Sequence, residues 1–346
     1  MTAQPVSAVK RFLPLLALWL GVTGCTHPDV RRDFLRIIDR PPVAAAPQAG
    51  EGVATNDVVE STFSFLSDAR DRVPGILVKP ANARGRLPVV IALHGTGGSK
   101  AGMLVLCHKL AARGFLAVAI DAPHHGDRAV TGKGDYQQAI VRAWDGSGEH
   151  PFFYDTVWDV MRLIDHLDTR DDVDPARIGL IGISKGGIET YLAAAVDRRI
   201  AVAVPCIGVQ SFRRALDDGD WQGRIGTIQN AFDTAAKEAG VAKPDAAFVK
   251  KFYDQVVPGI YDEFDGPALL PLIAPRPLLV INSDSDNHTP LAGVIECTNA
   301  ATKAYHAMKA DDRFAVIIQP KTGHKVLPGS EQAAIDWFVR WLKPGA

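Results

Sequence analysis

Cysteine is scarce in this sequence: 4 in 346 residues. That excludes a scaffold built from disulfides, and the lack of any C-x-x-C or Cys/His cluster argues against a structural zinc site. Charge bias is also lacking. Lys and Arg number 38 against 39 Asp and Glu, for a net charge of −1. With no long basic run, nucleic acid is not an expected partner. Gly is under a tenth of the chain and has no period, which excludes collagen. Disorder is excluded because 47% of residues are hydrophobic and 22% charged. There is no internal repeat. One large domain, or one domain with an insert, is the expectation.

Lys10-Arg11 precedes an apolar run, Phe12 to Val22, too short for an ordinary membrane span and suited to a signal-peptide core. It ends Val22-Thr23-Gly24-Cys25, which resembles a bacterial lipobox. Residues 1–24 are therefore expected to be a lipoprotein signal peptide, with a lipid on Cys25 as membrane anchor. A plain secretory signal is the alternative. Thr26 follows rather than Asp. By resemblance to Gram-negative lipoproteins this implies outer-membrane sorting, facing the periplasm or the cell surface. Residues 25–57 read as a tether of low order, with Arg40-Pro41-Pro42, Ala44-Ala45-Ala46-Pro47, Gly50 and Gly52. A short helix over Arg31 to Arg40 is left open. Cys107 and Cys206 sit in apolar surroundings and read as buried hydrophobes. One disulfide among Cys107, Cys206 and Cys297 is conceivable, but nothing selects the pair.

The fold is expected from residue 58 to 346. Val58 to Leu66 and Val73 to Val78 read as strands, with Pro74 placing the second at an edge or shortening it. Leu87 to Leu93, Phe115 to Ile120, Arg177 to Ile183, Ile200 to Ile207, Leu278 to Asn282 and Phe314 to Gln319 are apolar runs of strand length. Helical spacing marks Met103 to Ala112, Tyr154 to Leu167, Lys185 to Val196, Leu291 to Met308 and Gln332 to Leu342. This alternation indicates an α/β layer with a mostly parallel sheet. In such sheets ligands bind beyond the carboxyl ends of the strands.

Chemistry-bearing residues sit at those ends. Gly182-Ile183-Ser184-Lys185-Gly186, followed by Gly187, joins an apolar strand directly to a helix. A turn this sharp leaves little room for Cβ atoms and lifts a serine hydroxyl above the sheet. Serine is a weak nucleophile and needs a base. Of the late histidines, His324 follows the last strand. His306 lies inside a helix, and His288 is too close along the chain to the candidate acids. After Leu278 to Asn282 comes a loop with two competing carboxylates, Asp284 and Asp286. An oxyanion needs two N–H donors. The backbone of Lys185 supplies one, and Thr96 of His94-Gly95-Thr96-Gly97-Gly98 the other. The turn holding His124, His125 and Asp127 is a weak metal-ligand set, and no metal or cofactor is expected.

Taken together these segments resemble the α/β-hydrolase superfamily. They are most similar to the branch holding dienelactone hydrolases, acetyl xylan esterases and prolyl oligopeptidase-like catalytic domains. The matching stretches are Val73 to Val78, His94 to Gly98, Asp121 to Asp127, the Ser184 turn, Pro275 to Leu279, the Asp286 loop and Gly323-His324. The resemblance implies an α/β-hydrolase fold: a mostly parallel central sheet flanked by helices, with a helical cap-like insertion. It also implies a metal-free triad of Ser184, Asp286 and His324 working through an acyl-enzyme. The spacing of Asp286 to Pro290 resembles that family's acid loop and favours it over Asp284, which would be a turn residue.

Lys185 departs from the family pattern. Its cation would either favour acidic substrates or point to solvent. Two insertions, Ala129 to Phe153 and 209–272, are expected to shape specificity. Their aromatics, among them Tyr136, Trp144, Phe152, Trp221, Phe232, Phe248, Phe252 and Tyr261, would line the pocket as a cap or fill the core. The expected activity is a serine hydrolase cleaving carboxylic esters of small or moderate size, with no nucleic-acid partner and an open oligomeric state. The alternatives are a prolyl oligopeptidase-like peptidase, disfavoured by the lack of a propeller-sized N-terminal domain, and a non-catalytic lipoprotein on the same fold.

Overall fold

A computed structural model describes residues 29–343, apart from 56, 70, 131, 133–134 and 148–151. The signal peptide and Cys25 lie outside the described residues. Among the described residues no helix is long and apolar enough to cross a membrane.

Among the described residues nine strands form one sheet in the order β1-β2-β3-β5-β4-β6-β7-β8-β9. They are β1 (Gln48–Ala54), β2 (Val58–Leu66), β3 (Arg72–Pro80), β4 (Leu87–Leu93), β5 (Leu116–Ile120), β6 (Val173–Ile183), β7 (Ile200–Cys206), β8 (Leu278–Ser283) and β9 (Phe314–Gln319). The pairings from β5 through β4 to β9 are parallel, and those among β1, β2, β3 and β5 antiparallel. The central strands are buried on both faces, which is why they read as unbroken apolar runs rather than alternating ones.

Helices cover both faces. They are α1 (Val30–Ile38), α2 (Leu104–Ala112), α3 (Asp135–Trp144), α4 (Phe152–Asp168) and α5 (Lys185–Val196). The 209–272 insert supplies α6 (Phe212–Asp217), α7 (Gln222–Gly226), α8 (Gln229–Glu238), α9 (Ala246–Val256) and α10 (Gly266–Leu269). After it come α11 (Leu291–Ala307) and α12 (Pro328–Leu342). One core joins α4, α5, the insert and one sheet face, and a second joins α2, α12 and the other face.

Two expectations change here, and one open alternative is decided. The stretch expected to be a tether is docked from Val30 onward: α1 buries Phe34 and Ile38, and β1 pairs with β2. Phe34 packs edge-on against Tyr154 and Phe264, with ring centres 4.7 and 5.1 Å away. β3 is an interior strand despite Pro74. The Pro74 carbonyl accepts from the Asp121 N–H at 3.1 Å, so its missing N–H falls at the end of the β5 ladder. The insert's aromatics are core: Phe232, Phe248, Phe252 and Tyr261 are all buried. Cys107, Cys206 and Cys297 are buried free thiols.

Candidate active site

Ser184 sits between β6 and α5 at φ 58°, a left-handed conformation that non-glycine residues rarely adopt. The glycines around it make that turn possible. A Cβ on Gly182 would lie 2.1 Å from the Gly186 carbonyl oxygen. One on Gly186 would lie 2.5 Å from that of Leu93, and one on Gly187 2.4 Å from that of Cys206. The backbone thus folds tightly onto β4 and β7, and Ser184 is left at the carboxyl edge of the sheet.

Two further loops converge on it. His324, from the loop after β9, places Nε2 2.7 Å from Ser184 Oγ. Its Nδ1 lies 2.7 Å from Asp286 Oδ2, in the loop after β8. A carboxylate only accepts, so Nδ1 carries the proton and Nε2 accepts from the serine hydroxyl. Asp286 also accepts from the His288 N–H (2.9 Å) and the Thr289 hydroxyl (2.8 Å). Burial pushes the Asp286 carboxyl up, but the hydrogen bonds from His288 and His324 outweigh it and hold it far below the usual range. Asp284 is separate: it accepts from the N–H groups of Lys321 (2.9 Å) and Thr322 (3.3 Å), bracing the loop that carries His324.

Thr96 follows Gly95, whose Cβ would sit 3.3 Å from Ser184 Cβ. The N–H groups of Thr96 and Lys185 have no hydrogen-bond partner among the described residues. His94 secures this loop. The Ala122 N–H donates to its Nε2 (3.1 Å), and its Nδ1–H donates to the Gly95 carbonyl (2.8 Å). Burial, reinforced by the Lys185 charge, pushes His94 down to about 4, so the ring is neutral.

The Lys185 side chain goes neither to solvent nor to the cleft. It is buried against Glu189, with its ammonium 5.8 Å from the Tyr136 ring centre. An i,i+4 carboxylate on α5 pairs with the ammonium behind the turn and offsets the solvation it loses there. The turn considered for metal is also committed elsewhere. Asp127 pairs with Lys100 at 2.7 Å, and His125 Nδ1 donates to the Pro123 carbonyl at 2.8 Å.

A cleft of about 380 Å³ is lined by Gly95, Thr96, Ile183, Ser184, Ile207, Thr227, His324, Lys325 and Val326. Beside it, sharing Thr96, lies a cavity of about 470 Å³ walled by the 96–99 loop, His124 to Gly126, Ala129, Tyr136 and Gln137. The 129–153 insertion thus shapes this cavity, whereas Thr227 is the part of the 209–272 insert that reaches the serine cleft. The sequence reading set His288 aside. Its ring centre lies 4.3 Å from that of His324, the two planes tilted by 38°, a neighbour whose one signal is its place two residues after Asp286.

A family model described as fungal glucuronyl esterase matches residues 75–309. The Bacillus subtilis protein YitV is 30% identical over 271 residues, covering 77% of this chain and 94% of YitV. YtaP, from the same organism, is 26% identical over 329 residues, covering 90% of this chain and 98% of YtaP. Among solved structures, acetyl xylan esterase 1 from Thermoanaerobacterium sp. JW/SL YS485 superposes with a TM-score of 0.67. It shares 19% identity and covers 91% of this chain and 94% of that one, a likeness of fold. A family match over about two thirds of the chain, on an α/β-hydrolase sheet, places this protein in the glucuronyl esterase family, as a carboxylic ester hydrolase.

Proposed function

We propose that Ser184 is the nucleophile of this hydrolase, His324 its general base and Asp286 the acid that orients the imidazole. The observation that carries this reading is the unbroken pair of 2.7 Å hydrogen bonds linking three residues from three separate loops. As Ser184 Oγ attacks the ester carbonyl, its proton passes to His324 Nε2. The Thr96 and Lys185 N–H groups receive the oxyanion. Collapse breaks the ester bond, and His324 gives its proton to the departing alcohol. Water, deprotonated by His324, then attacks the acyl-enzyme, releasing the acid and restoring the Ser184 hydroxyl.

The substrate we propose is a small ester group carried on a saccharide, an acetyl ester or the methyl ester of a uronic acid. The names of the family model and of the acetyl xylan esterase neighbour support this class. The test uses p-nitrophenyl acetate, acetylated xylan and the methyl ester of glucuronic acid, with Ser184→Ala as control. Ser184-dependent release of acetate or methanol from a saccharide is expected. Turnover of p-nitrophenyl acetate alone would remove the saccharide reading. No Ser184-dependent turnover of any ester would remove the triad.

We further propose export and lipid anchoring through Cys25 to the outer membrane, on the strength of Val22 to Cys25. Cys25→Ser should release the protein from membranes or leave an unprocessed precursor. Normal processing with unchanged fractionation would overturn the anchor.

A further inference from the structure

Arg224, in α7 of the 209–272 insert, is buried, yet no carboxylate lies within ion-pairing distance of it among the described residues. An unpaired buried charge is costly unless its donors are fully used. Its donors converge on the acid loop. Arg224 Nη2 donates to the carbonyl oxygen of His288 at 2.8 Å. Gln210, also fully buried, completes the arrangement when its amide is oriented to match its neighbours. Its nitrogen donates to the same His288 carbonyl at 3.0 Å, and its oxygen accepts from Arg224 Nε at 3.0 Å and Nη2 at 3.1 Å. One carbonyl is thus held by two donors from outside its own loop. The backbone is equally close: a Cβ on the neighbouring Gly223 would fall 2.0 Å from the Asn287 carbonyl oxygen.

The other face of that peptide segment is the acid itself. The His288 N–H and the Thr289 hydroxyl both donate to the Asp286 carboxylate, and Asn282 Nδ2 donates to Thr289 Oγ1 at 3.1 Å. A chain of contacts therefore runs from α7 through His288 to Asp286 and on to His324. We propose that Arg224 is a positioning residue: with Gln210 it clamps the His288 carbonyl and so sets the Asp286 carboxylate against His324. The insert on this account holds the catalytic acid in place, beyond any part it takes in shaping the cleft. The inference rests on Asp286 being the triad acid.

The full chain carrying Arg224→Ala tests it. Expected is a kcat reduced roughly 10- to 100-fold for p-nitrophenyl acetate, with KM within about twofold, because a misplaced acid spoils chemistry and not binding. The downfield proton resonance of His324 Nδ1–H should shift or vanish, which loss of stability alone would not cause. Added methylguanidinium should restore part of the rate, and Arg224→Lys should lie between wild type and Arg224→Ala. A raised KM with kcat unchanged would overturn the proposal and make Arg224 a substrate ligand. Wild-type kinetics with an unmoved resonance would overturn it too. If Arg224→Ala does not fold, Gln210→Glu carries the test. It keeps an acceptor for Arg224 but removes the second donor to His288. A severalfold lower kcat supports the clamp, and a wild-type kcat overturns it. Wild-type rates for these variants alongside an inactive Asp286→Asn would sink the clamp and spare the triad. Full activity of Asp286→Asn would sink the triad reading itself.

Discussion

Asp284 and Asp286 are two residues apart on one loop, yet their surroundings assign them different work. Asp286 is buried and meets His324, while Asp284 faces the backbone of Lys321 and Thr322. In the proposed triad, replacing the acid by its amide leaves the imidazole in the wrong tautomer, at a cost of about 10⁴ in turnover. Asp286→Asn should therefore lower kcat by about that factor in ester hydrolysis. Asp284→Asn should stay within about tenfold of wild type, since it disturbs only the brace on the His324 loop. The glycines of the Ser184 turn make a second, structural prediction. Gly187→Ala would put a methyl 2.4 Å from the Cys206 carbonyl, against backbone that cannot yield cheaply. Overpacking of this kind costs about 1–3 kcal/mol, so the denaturant midpoint should fall and kcat with it.

Among the elements, α1 is a helix that the sequence leaves open and whose docking the chain's composition conceals. Prolines and small residues follow it at Pro41, Pro42 and Ala44 to Pro47, and that pattern reads as linker. What docks the helix is a contact across the fold, Phe34 between Tyr154 and Phe264. Arg40, just beyond the helix, pairs with Asp155 of α4. Phe34→Ala should then cost about 3–5 kcal/mol, as for other buried phenylalanines, read as a lower unfolding midpoint. A segment hanging free would show no change. β1 was hidden for a related reason. Its residues are all exposed, so no alternation marks them, and only the free edge of β2 makes them a strand. By contrast β4, β5, β6 and α5 were legible within a few residues, because burial on both faces imposes long apolar runs and Gly punctuates their ends.

At the scale of the whole molecule, buried histidines tie stability to pH. His94 is held neutral by burial and by the Lys185 charge, down to about 4, against an ordinary value near 6.5. Its folded value lies below its unfolded one, so the unfolded chain binds the extra proton. The stability it contributes is full above about pH 6.5 and is lost as pH falls from there towards 4. The cost of His94→Asn should accordingly shrink by about 2 kcal/mol between pH 7.5 and pH 4.5. Denaturant unfolding of both proteins at the two pH values measures it, and a cost independent of pH would refute the assignment. The buried Lys185 that helps to depress His94 belongs to the same scale: its role is set by Glu189, Tyr136 and the helices around them, not by its place beside Ser184.

Local sequence is enough to fix the alternation of strands and helices, the sharp Gly-flanked turn at Ser184, and the placing of His324 and the acid loop after later strands. These are local matters: periodicity, glycine where no Cβ fits, and polar residues where apolar runs end. Tertiary structure alone decided that Lys185 is buried, that the insert's aromatics are core, and that Arg224 reaches the His288 carbonyl. It also decided that residues from Val30 onward belong to the fold. Each of these involves a partner far along the chain, Tyr136 for the Lys185 ammonium (beside the nearby Glu189) and Tyr154 and Phe264 for Phe34, and such partners do not show among a residue's neighbours in sequence.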